Sequence, residues 1–107
     1  MRTGPQPGEV WFIDLGMVGK PRYALVLAAR TDARLAPASV VLITTQFEDT
    51  PYEVTLPRVP WLREQSYINV QSIQPVKFTE FVRQVPGKFD ARVIGEVETA
   101  LKRWLNL

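Results

Sequence analysis

The chain has 107 residues, which is enough for one domain with one hydrophobic core and excludes a two-domain enzyme. Apolar residues make up 46% and charged residues 22%, as in an ordinary globular protein, and no apolar stretch is long enough to span a bilayer. Because there is no Cys and no His, disulfides, a thiolate nucleophile, zinc–cysteine sites and the commonest general base are excluded. A net charge of +2 allows a polyanionic partner without demanding one.

The first residues have the composition of a linker. Two glycines and two prolines fall between Thr3 and Gly8, and they block regular structure. We therefore predict a flexible N-terminal extension over 1–7 and a single domain over 8–107. No apolar signal segment precedes the Gly/Pro-rich stretch, so we expect a cytoplasmic protein that does not contact a membrane.

The next part of the chain is predicted to form strands. Runs rich in β-branched and aromatic residues, bounded by turn residues, occupy 9–15, 22–29, 39–46 and 52–56. In the fourth run polar and apolar residues alternate, which places Tyr52, Val54 and Leu56 on one face. After a loop over 57–65, in which Trp61 is expected to cap the core, 67–76 and 78–85 supply further strands, giving about six in all.

The apolar period changes to that of a helix near Phe89. The residues that recur at helical spacing are Phe89, Val93, Ile94, Val97, Leu101, Trp104 and Leu105. Asp90 is a candidate N-cap, and Trp104 is predicted to pack in the core because it lies on the apolar face. A mainly β chain with one C-terminal helix predicts a small SH3-like barrel with the helix packed against it.

Three segments together resemble the MazF/PemK family of toxins, the messenger RNA interferases of toxin–antitoxin modules. PGEVWFIDL at 7–15 is similar to the family's opening GEVWxVDL strand, and RYALVLA at 22–28 is similar to RPALVL. ITTQ at 43–46, followed by TPYEVTL at 50–56, is similar to a TTQ or TSQ strand end followed by PFEVxL. Weaker similarity continues through SYINVQSI at 66–73 and the final WLNL. The order and spacing of the motifs carry the resemblance, because no single motif is specific.

The resemblance implies an SH3-like barrel of the CcdB/MazF/PemK type and a homodimer. It also implies a metal-independent endoribonuclease that needs no cofactor and cuts single-stranded RNA at short sequences. A cognate antitoxin is expected to block this activity.

The family's essential arginine falls on Arg22 and its essential threonine on Thr44, which we expect to be catalytic. RNA can be cut by attack of its own 2′-oxygen on the adjacent phosphate, which requires stabilisation of the developing charge. Arg22 has several fixed donors for the phosphorane oxygens, and the Thr44 hydroxyl can donate another hydrogen bond. No residue is assigned as the general base that takes the proton of the 2′-hydroxyl, because a guanidinium is a poor base and the chain has no His.

Four neighbouring residues are predicted to bind RNA: Lys20, Tyr23, Thr45 and Gln46. A cation beside an aromatic ring suits single-stranded RNA, and hydroxyl and amide groups at a strand end suit phosphates and bases. The alternative reading of all six residues is ordinary structure. Arg22 would be a solvated edge charge, Lys20 part of a solvated turn and Tyr23 a core residue, and 44–46 would be a β-favouring run that leaves the sheet.

The chain departs from the family pattern at several positions. The loop 16–21 is short, Tyr23 replaces a proline, and Gln71-Ser72 replaces an acidic residue followed by Gln. These departures leave an inactive relative with the same fold as one alternative to an active ribonuclease. Two further alternatives are a CcdB-like inhibitor of DNA gyrase and an SH3-like module that binds a peptide with Trp11, Tyr52 and Trp61. A buried Trp104 would argue against the gyrase inhibitor, whose contacts are made by its C-terminal residues.

Overall fold

The computed structural model describes residues 4–16, 19–32 and 34–107. This part of the chain forms seven strands and one α-helix. In chain order they are β1 (Glu9–Ile13), β2 (Arg22–Ala29), β3 (Ala38–Thr44), β4 (Glu53–Thr55), β5 (Tyr67–Asn69), β6 (Gln74–Val76), β7 (Phe81–Lys88) and α1 (Ala91–Leu105). The predicted mainly β architecture with one C-terminal helix is confirmed.

The strands form one antiparallel sheet in the order β4-β5-β3-β2-β1-β7, with β6 also paired to β3. Strand β3 changes partner along its length, because Val40 pairs with Gln74 of β6 whereas Ile43 pairs with Ile68 of β5. At the change, the backbone N–H of Leu42 donates to Ser72 Oγ over 2.8 Å. The Ser72 hydroxyl thus replaces a ladder partner for this N–H.

Apolar side chains fill two clusters on opposite faces of the sheet, as the alternation of side chains along a strand requires. The larger cluster lies between the sheet and α1, and it includes Leu25, Val41 and Val97. The smaller cluster uses the other face of β2 and β3, with Val26 and Val40. Strands β2 and β3 are therefore buried on both faces, which explains their nearly continuous apolar sequence.

The helix begins at the predicted N-cap, but its last turn is more exposed than the sequence predicts. Asp90 Oδ1 accepts a hydrogen bond from the backbone N–H of Val93 over 3.1 Å, which makes Asp90 the N-cap. Trp104 does not lie in the core: its side chain is 41% exposed and its ring contacts Tyr52 with a centroid distance of 5.3 Å. Burial in the helix ends at Ala100, so the last turn extends beyond the main apolar cluster.

Several strand boundaries differ from the sequence-based predictions. Strand β3 ends at Thr44, whose side chain accepts a hydrogen bond from the backbone N–H of Gln46. This local bond replaces strand pairing and turns the chain out of the sheet. The predicted strand over 67–76 is divided by a 3-10 turn at Val70–Ser72, which gives seven strands instead of six. Strand β7 begins at Phe81 because a second 3-10 turn, Phe78–Glu80, precedes it.

The predicted N-terminal extension is described from residue 4 onward, and residues 1–3 lie outside the described part. Pro5 is buried, and the backbone N–H of Gln6 donates to Glu9 Oε1 over 2.8 Å. Gly4 packs closely on the Phe78 ring. At the other end, α1 has 15 residues, and no helix in the described ranges is long and apolar enough to cross a membrane.

Candidate functional site

A cleft of about 440 Å³ opens where β2 begins and β3 ends. The lining residues are Phe12, Lys20, Pro21, Arg22, Tyr23, Ile43, Thr44, Thr45 and Gln46. All six residues for which the sequence predicts a role in catalysis or RNA binding are among them. Two chain segments that are distant in sequence, 20–23 and 43–46, thus meet at one concave surface.

The pairing of β2 with β3 explains why these segments meet. Ala24 lies opposite Leu42 in the antiparallel ladder. Ala24 and Leu42 are the last paired residues on this side of the ladder. Extending their register by two residues puts position 22 opposite position 44, on the same face as Ala24 and Leu42. The two predicted catalytic residues therefore occupy corresponding positions on neighbouring strands.

Thr44 is half-buried at the last position of β3. Its Oγ1 accepts the backbone N–H of Gln46 over 3.1 Å. This bond uses a lone pair of the hydroxyl oxygen and leaves the hydroxyl proton free to be donated. The orientation of Thr44 is therefore fixed by the turn that follows it, while its donor capacity is available to a ligand.

Arg22 is exposed at the first position of β2, where it pairs with Ile13 of β1. Lys20 is exposed two residues earlier. Within the described ranges, neither side chain forms an ion pair with a carboxylate. Arg22 and Lys20 also line a second cavity of about 250 Å³ on the side of Leu42 and Gln74. Two uncompensated cations thus border both concave surfaces, which favours an anionic ligand.

Tyr23 forms the aromatic wall of the cleft. Its half-buried ring lies 5.2 Å from the Phe12 ring and 5.0 Å from the Trp61 ring, measured between centroids. Trp61 also contacts Phe89, at 5.9 Å, so its predicted position over the core is confirmed. The two readings of Tyr23 are compatible, because its ring packs against the core and also lines the cleft.

Arg83 is a further cation near the cleft, and it is not among the residues predicted from the sequence. It lies opposite Phe12 in the β1–β7 ladder, with its guanidinium carbon 5.1 Å from the centre of the Phe12 ring and 5.9 Å from that of Tyr23. Its Nη2 lies 3.4 Å from the Tyr23 hydroxyl oxygen. The sequence contains no local signal for this contact, because β1 and β7 are far apart along the chain.

Glu53 holds the loop that follows the cleft. Its carboxylate accepts hydrogen bonds from the backbone N–H of Glu48 and of Thr50, each over 2.7 Å, and from the Thr50 hydroxyl over 2.9 Å. Desolvation raises the pKa of Glu53, but the hydrogen bonds outweigh it, and the net effect is a pKa below the usual value. The alternating run over 52–56 indicates a strand, but it does not show that the loop just before it places three donors on this carboxylate.

Residues 6–105 match the family model of the PemK-like, MazF-like toxins of type II toxin–antitoxin systems. The chain belongs to this family. The match includes the whole cleft and every element from β1 to α1. Among curated proteins, none matches the sequence.

Solved structures of an endoribonuclease and of two MazF toxins share the fold. An endoribonuclease from a mycobacterial species, in complex with its cognate antitoxin, has a TM-score of 0.78 and 23% identity, with 96% of each chain covered. The Mycobacterium tuberculosis toxin MazF-mt6 has a TM-score of 0.77 and 22% identity, covering 92% of this chain and 97% of its own. MazF from Deinococcus radiodurans has a TM-score of 0.72 and 21% identity, covering 99% and 100%.

Membership of the MazF-like family favours the toxin reading over the alternatives. The exposed Trp104 removes the argument that a buried C-terminal tryptophan excludes a CcdB-like inhibitor, but the family match supports MazF/PemK independently. The peptide-binding alternative required Trp11, Tyr52 and Trp61 to share one groove. Their ring contacts instead are with Phe81, with Trp104, and with Tyr23 and Phe89, respectively.

Proposed function

We propose that this MazF-like toxin is an endoribonuclease that cuts single-stranded RNA without a metal ion or cofactor. The observation that carries the proposal is the position of Arg22 and Thr44, which line one cleft from the first residue of β2 and the last residue of β3. A guanidinium and a hydroxyl that can donate its proton, both lining one cleft, suit a transition state in which negative charge develops on phosphate oxygens.

The reaction uses a nucleophile of the substrate. The 2′-oxygen forms a bond to the adjacent phosphorus as the bond from phosphorus to the 5′-oxygen of the next nucleotide breaks. The 2′-hydroxyl loses a proton and the departing 5′-oxygen gains one, which leaves a 2′,3′-cyclic phosphate and a 5′-hydroxyl. Arg22 stabilises the phosphorane oxygens, and Thr44 donates to a phosphate oxygen or to the departing oxygen.

The other residues of the cleft bind the RNA strand. Lys20 attracts the phosphate backbone, since it has no carboxylate partner among the described residues. Tyr23 presents an aromatic ring to a base, and Thr45 and Gln46, both exposed, offer hydroxyl and amide groups to base edges. The amide of Gln46 is the group best suited to discriminate among bases, because it can both donate and accept.

The antitoxin is proposed to compete with RNA for this cleft. The cations Lys20 and Arg22 suit an acidic, disordered segment that folds as it binds. In a competition experiment, addition of the antitoxin is expected to displace a fluorescent RNA from the protein. A ternary complex with unchanged RNA affinity would contradict the overlap of the two sites.

We further propose that the active form is a homodimer that acts in the cytoplasm, where messenger RNA is translated. A chain of 107 residues leaves apolar side chains such as Val82 exposed, at 58%, which a second copy can cover. Sedimentation at micromolar concentration is expected to give the mass of two chains. A species with the mass of one chain at every concentration would contradict the dimer.

The ribonuclease activity is tested by comparing three RNA oligonucleotides of one sequence. The unmodified RNA is expected to be cut equally in EDTA and in Mg²⁺, whereas replacement of the 2′-hydroxyl at the cut site by hydrogen should abolish cutting. A 2′-deoxy substitution away from the cut site serves as the control and should have no effect. Cutting that requires Mg²⁺ or survives the 2′-deoxy substitution would refute the mechanism, and binding without cutting would identify an inactive relative.

A further inference from the structure

Phe47 is a large apolar side chain that the core does not use. Its side chain is 52% exposed, and its ring stacks on the Tyr67 ring with a centroid distance of 4.8 Å and an interplanar angle of 29°. Exposure of a phenyl ring to water forgoes the stabilisation that burial would provide. A flat ring supported from one side is also the arrangement in which proteins stack nucleobases.

The stacked pair borders the cleft. Phe47 directly follows Gln46, which lines the cleft, and Tyr67 lies opposite Thr44 in the β3–β5 ladder. The pair is therefore next to the position of the proposed scissile phosphate, on the β5 side of β3. Arg22 and Lys20 approach the same position from the β2 side.

The backbone on both sides of Phe47 is fixed by side-chain acceptors. On one side the N–H of Gln46 donates to Thr44 Oγ1 over 3.1 Å, and on the other the N–H of Glu48 donates to Glu53 Oε2 over 2.7 Å. A ring whose backbone is held before binding loses less conformational entropy when a ligand stacks on it. The ring is thus preorganised by the same loop that the Glu53 carboxylate holds.

We infer that the Phe47 ring is a stacking site for a nucleobase of the RNA strand that flanks the cut. This inference rests on the proposed ribonuclease function. The adjacent carboxylates of Glu48 and Asp49 are exposed and repel phosphates, so the strand presents a base here while its backbone follows Lys20 and Arg22. The occupant is therefore a nucleobase, whose π-face needs no charge and no specific hydrogen bond.

The test measures binding of a non-cleavable RNA, made with a 2′-deoxy nucleotide at the cut site. Phe47→Ala is expected to weaken binding by about 5- to 150-fold, which corresponds to the ~1–3 kcal/mol of one stacked base. Phe47→Tyr keeps the ring and should bind like the wild type, whereas Phe47→Leu keeps apolar surface without the ring and should resemble Phe47→Ala. The control is Leu35→Ala, which should bind like the wild type. Leu35 is an exposed apolar residue in the loop between β2 and β3, at the ends of these two strands that lie away from the cleft.

A series of RNAs with one abasic nucleotide each locates the stacked base. At one flanking position, removal of the base should make the affinities of wild type and Phe47→Ala equal. The inference would be overturned if Phe47→Ala bound every abasic RNA more weakly than the wild type by the same factor. It would also be overturned if Phe47→Ala bound the intact RNA as tightly as the wild type. Loss of RNA binding accompanied by dissociation of a wild-type dimer would overturn it as well and would assign the ring to an interface between copies.

The same experiment separates this inference from the proposed function. If the wild type cuts RNA and Phe47→Ala binds and cuts normally, the stacking site is refuted and the ribonuclease stands. If the wild type binds without cutting and Phe47→Ala shows the base-dependent loss, the stacking site stands and the ribonuclease is refuted. If the wild type neither binds nor cuts RNA, both are refuted.

Discussion

At the scale of single residues, the cleft combines donors that are fixed by the fold with cations that the fold leaves uncompensated. Thr44 is oriented by the N–H of Gln46, and Tyr23 by the rings of Phe12 and Trp61. Arg22, in contrast, has no carboxylate partner in the described part of the chain. An anionic substrate therefore meets a preorganised surface whose positive charge is not already neutralised.

Arg83 is expected to extend the positive surface of the cleft. Arg83→Gln removes a guanidinium that lies over the Phe12 and Tyr23 rings, and should weaken binding of single-stranded RNA. If the guanidinium contacts a phosphate, the slope of log K against log salt falls by about 0.7. Arg34→Gln, with the same charge change in the β2–β3 loop, is the control. Identical slopes for wild type and Arg83→Gln would show that Arg83 does not contact a phosphate.

Glu53 is expected to make the stability of the protein depend on acidic pH. Its pKa is below the usual value of 4.5 in the folded protein, so its contribution to stability is complete above pH 4.5 and is lost as the pH falls through the folded-state pKa. Glu53→Gln should lower the melting temperature at pH 7, because the amide turns an N–H group toward a backbone N–H donor. The difference should shrink below pH 4.5.

Glu48→Gln is the matched control for Glu53, since it changes the charge of the same loop at an exposed position. Its melting temperature should follow that of the wild type across the pH range. A constant difference between wild type and Glu53→Gln from pH 7 to pH 3 would show that the carboxylate charge does not hold the loop.

Residues with a local signal could be predicted, and those that depend on distant pairing could not. The motifs RYALVLA and ITTQ contain all the predicted cleft residues except Lys20, which precedes the first motif. Arg83 is brought near the cleft by the β1–β7 ladder, and Glu53 holds the loop that follows the cleft. The sequence around Arg83 contains no signal for its contact with Phe12 and Tyr23, which are distant along the chain. The donors to Glu53 are close in sequence, but the alternation over 52–56 indicates only a strand and not the loop that turns back on the carboxylate.

At the scale of elements, the start of β2 and the end of β3 form the cleft, and β3 pairs with three other strands. It pairs with β2 on one side and with β5 and β6 in turn on the other. Its apolar run made the strand predictable, because burial on both faces selects a continuous apolar sequence. The change of partner was not predictable, because the 3-10 turn at Val70–Ser72 lies within a run of strand-like composition.

Ser72 is expected to stabilise this change of partner. Its Oγ accepts the N–H of Leu42 over 2.8 Å and donates to the carbonyl of Asn69 over 2.7 Å. Ser72→Ala leaves the Leu42 N–H without this acceptor and should lower the free energy of unfolding by about 1–3 kcal/mol. Thr79→Ala, at an exposed position of the next 3-10 turn, is the control. Chemical denaturation that gives equal stabilities for both variants would contradict this role.

At the scale of the whole molecule, the described residues form one seven-stranded sheet with a helix packed against it, and the match to the MazF-like toxins includes nearly the whole chain. Composition and period were sufficient to predict this fold class. The number of strands and the exposure of Trp104 were not, because both depend on where distant segments stop contacting one another.

The central claim is that Arg22 and Thr44 catalyse RNA cleavage without contributing to the stability of the sheet. Its most direct test pairs single-turnover cleavage with thermal unfolding of the same variants. Arg22→Ala and Thr44→Ala should each slow cleavage by about 10²–10³-fold, and Arg22→Lys should recover little, because an ammonium lacks the fork of donors. Arg34→Ala should cut like the wild type.

Thermal unfolding distinguishes a catalytic role from a structural one. Arg22 is exposed and Thr44 lies at a strand end, so the free energy of unfolding should change by no more than about 0.5 kcal/mol for Arg22→Ala and about 1 kcal/mol for Thr44→Ala, which loses its bond to Gln46. Slow cleavage with a nearly unchanged melting curve is the expected result. Wild-type cleavage by either alanine variant, or loss of cleavage only in parallel with unfolding, would contradict the claim.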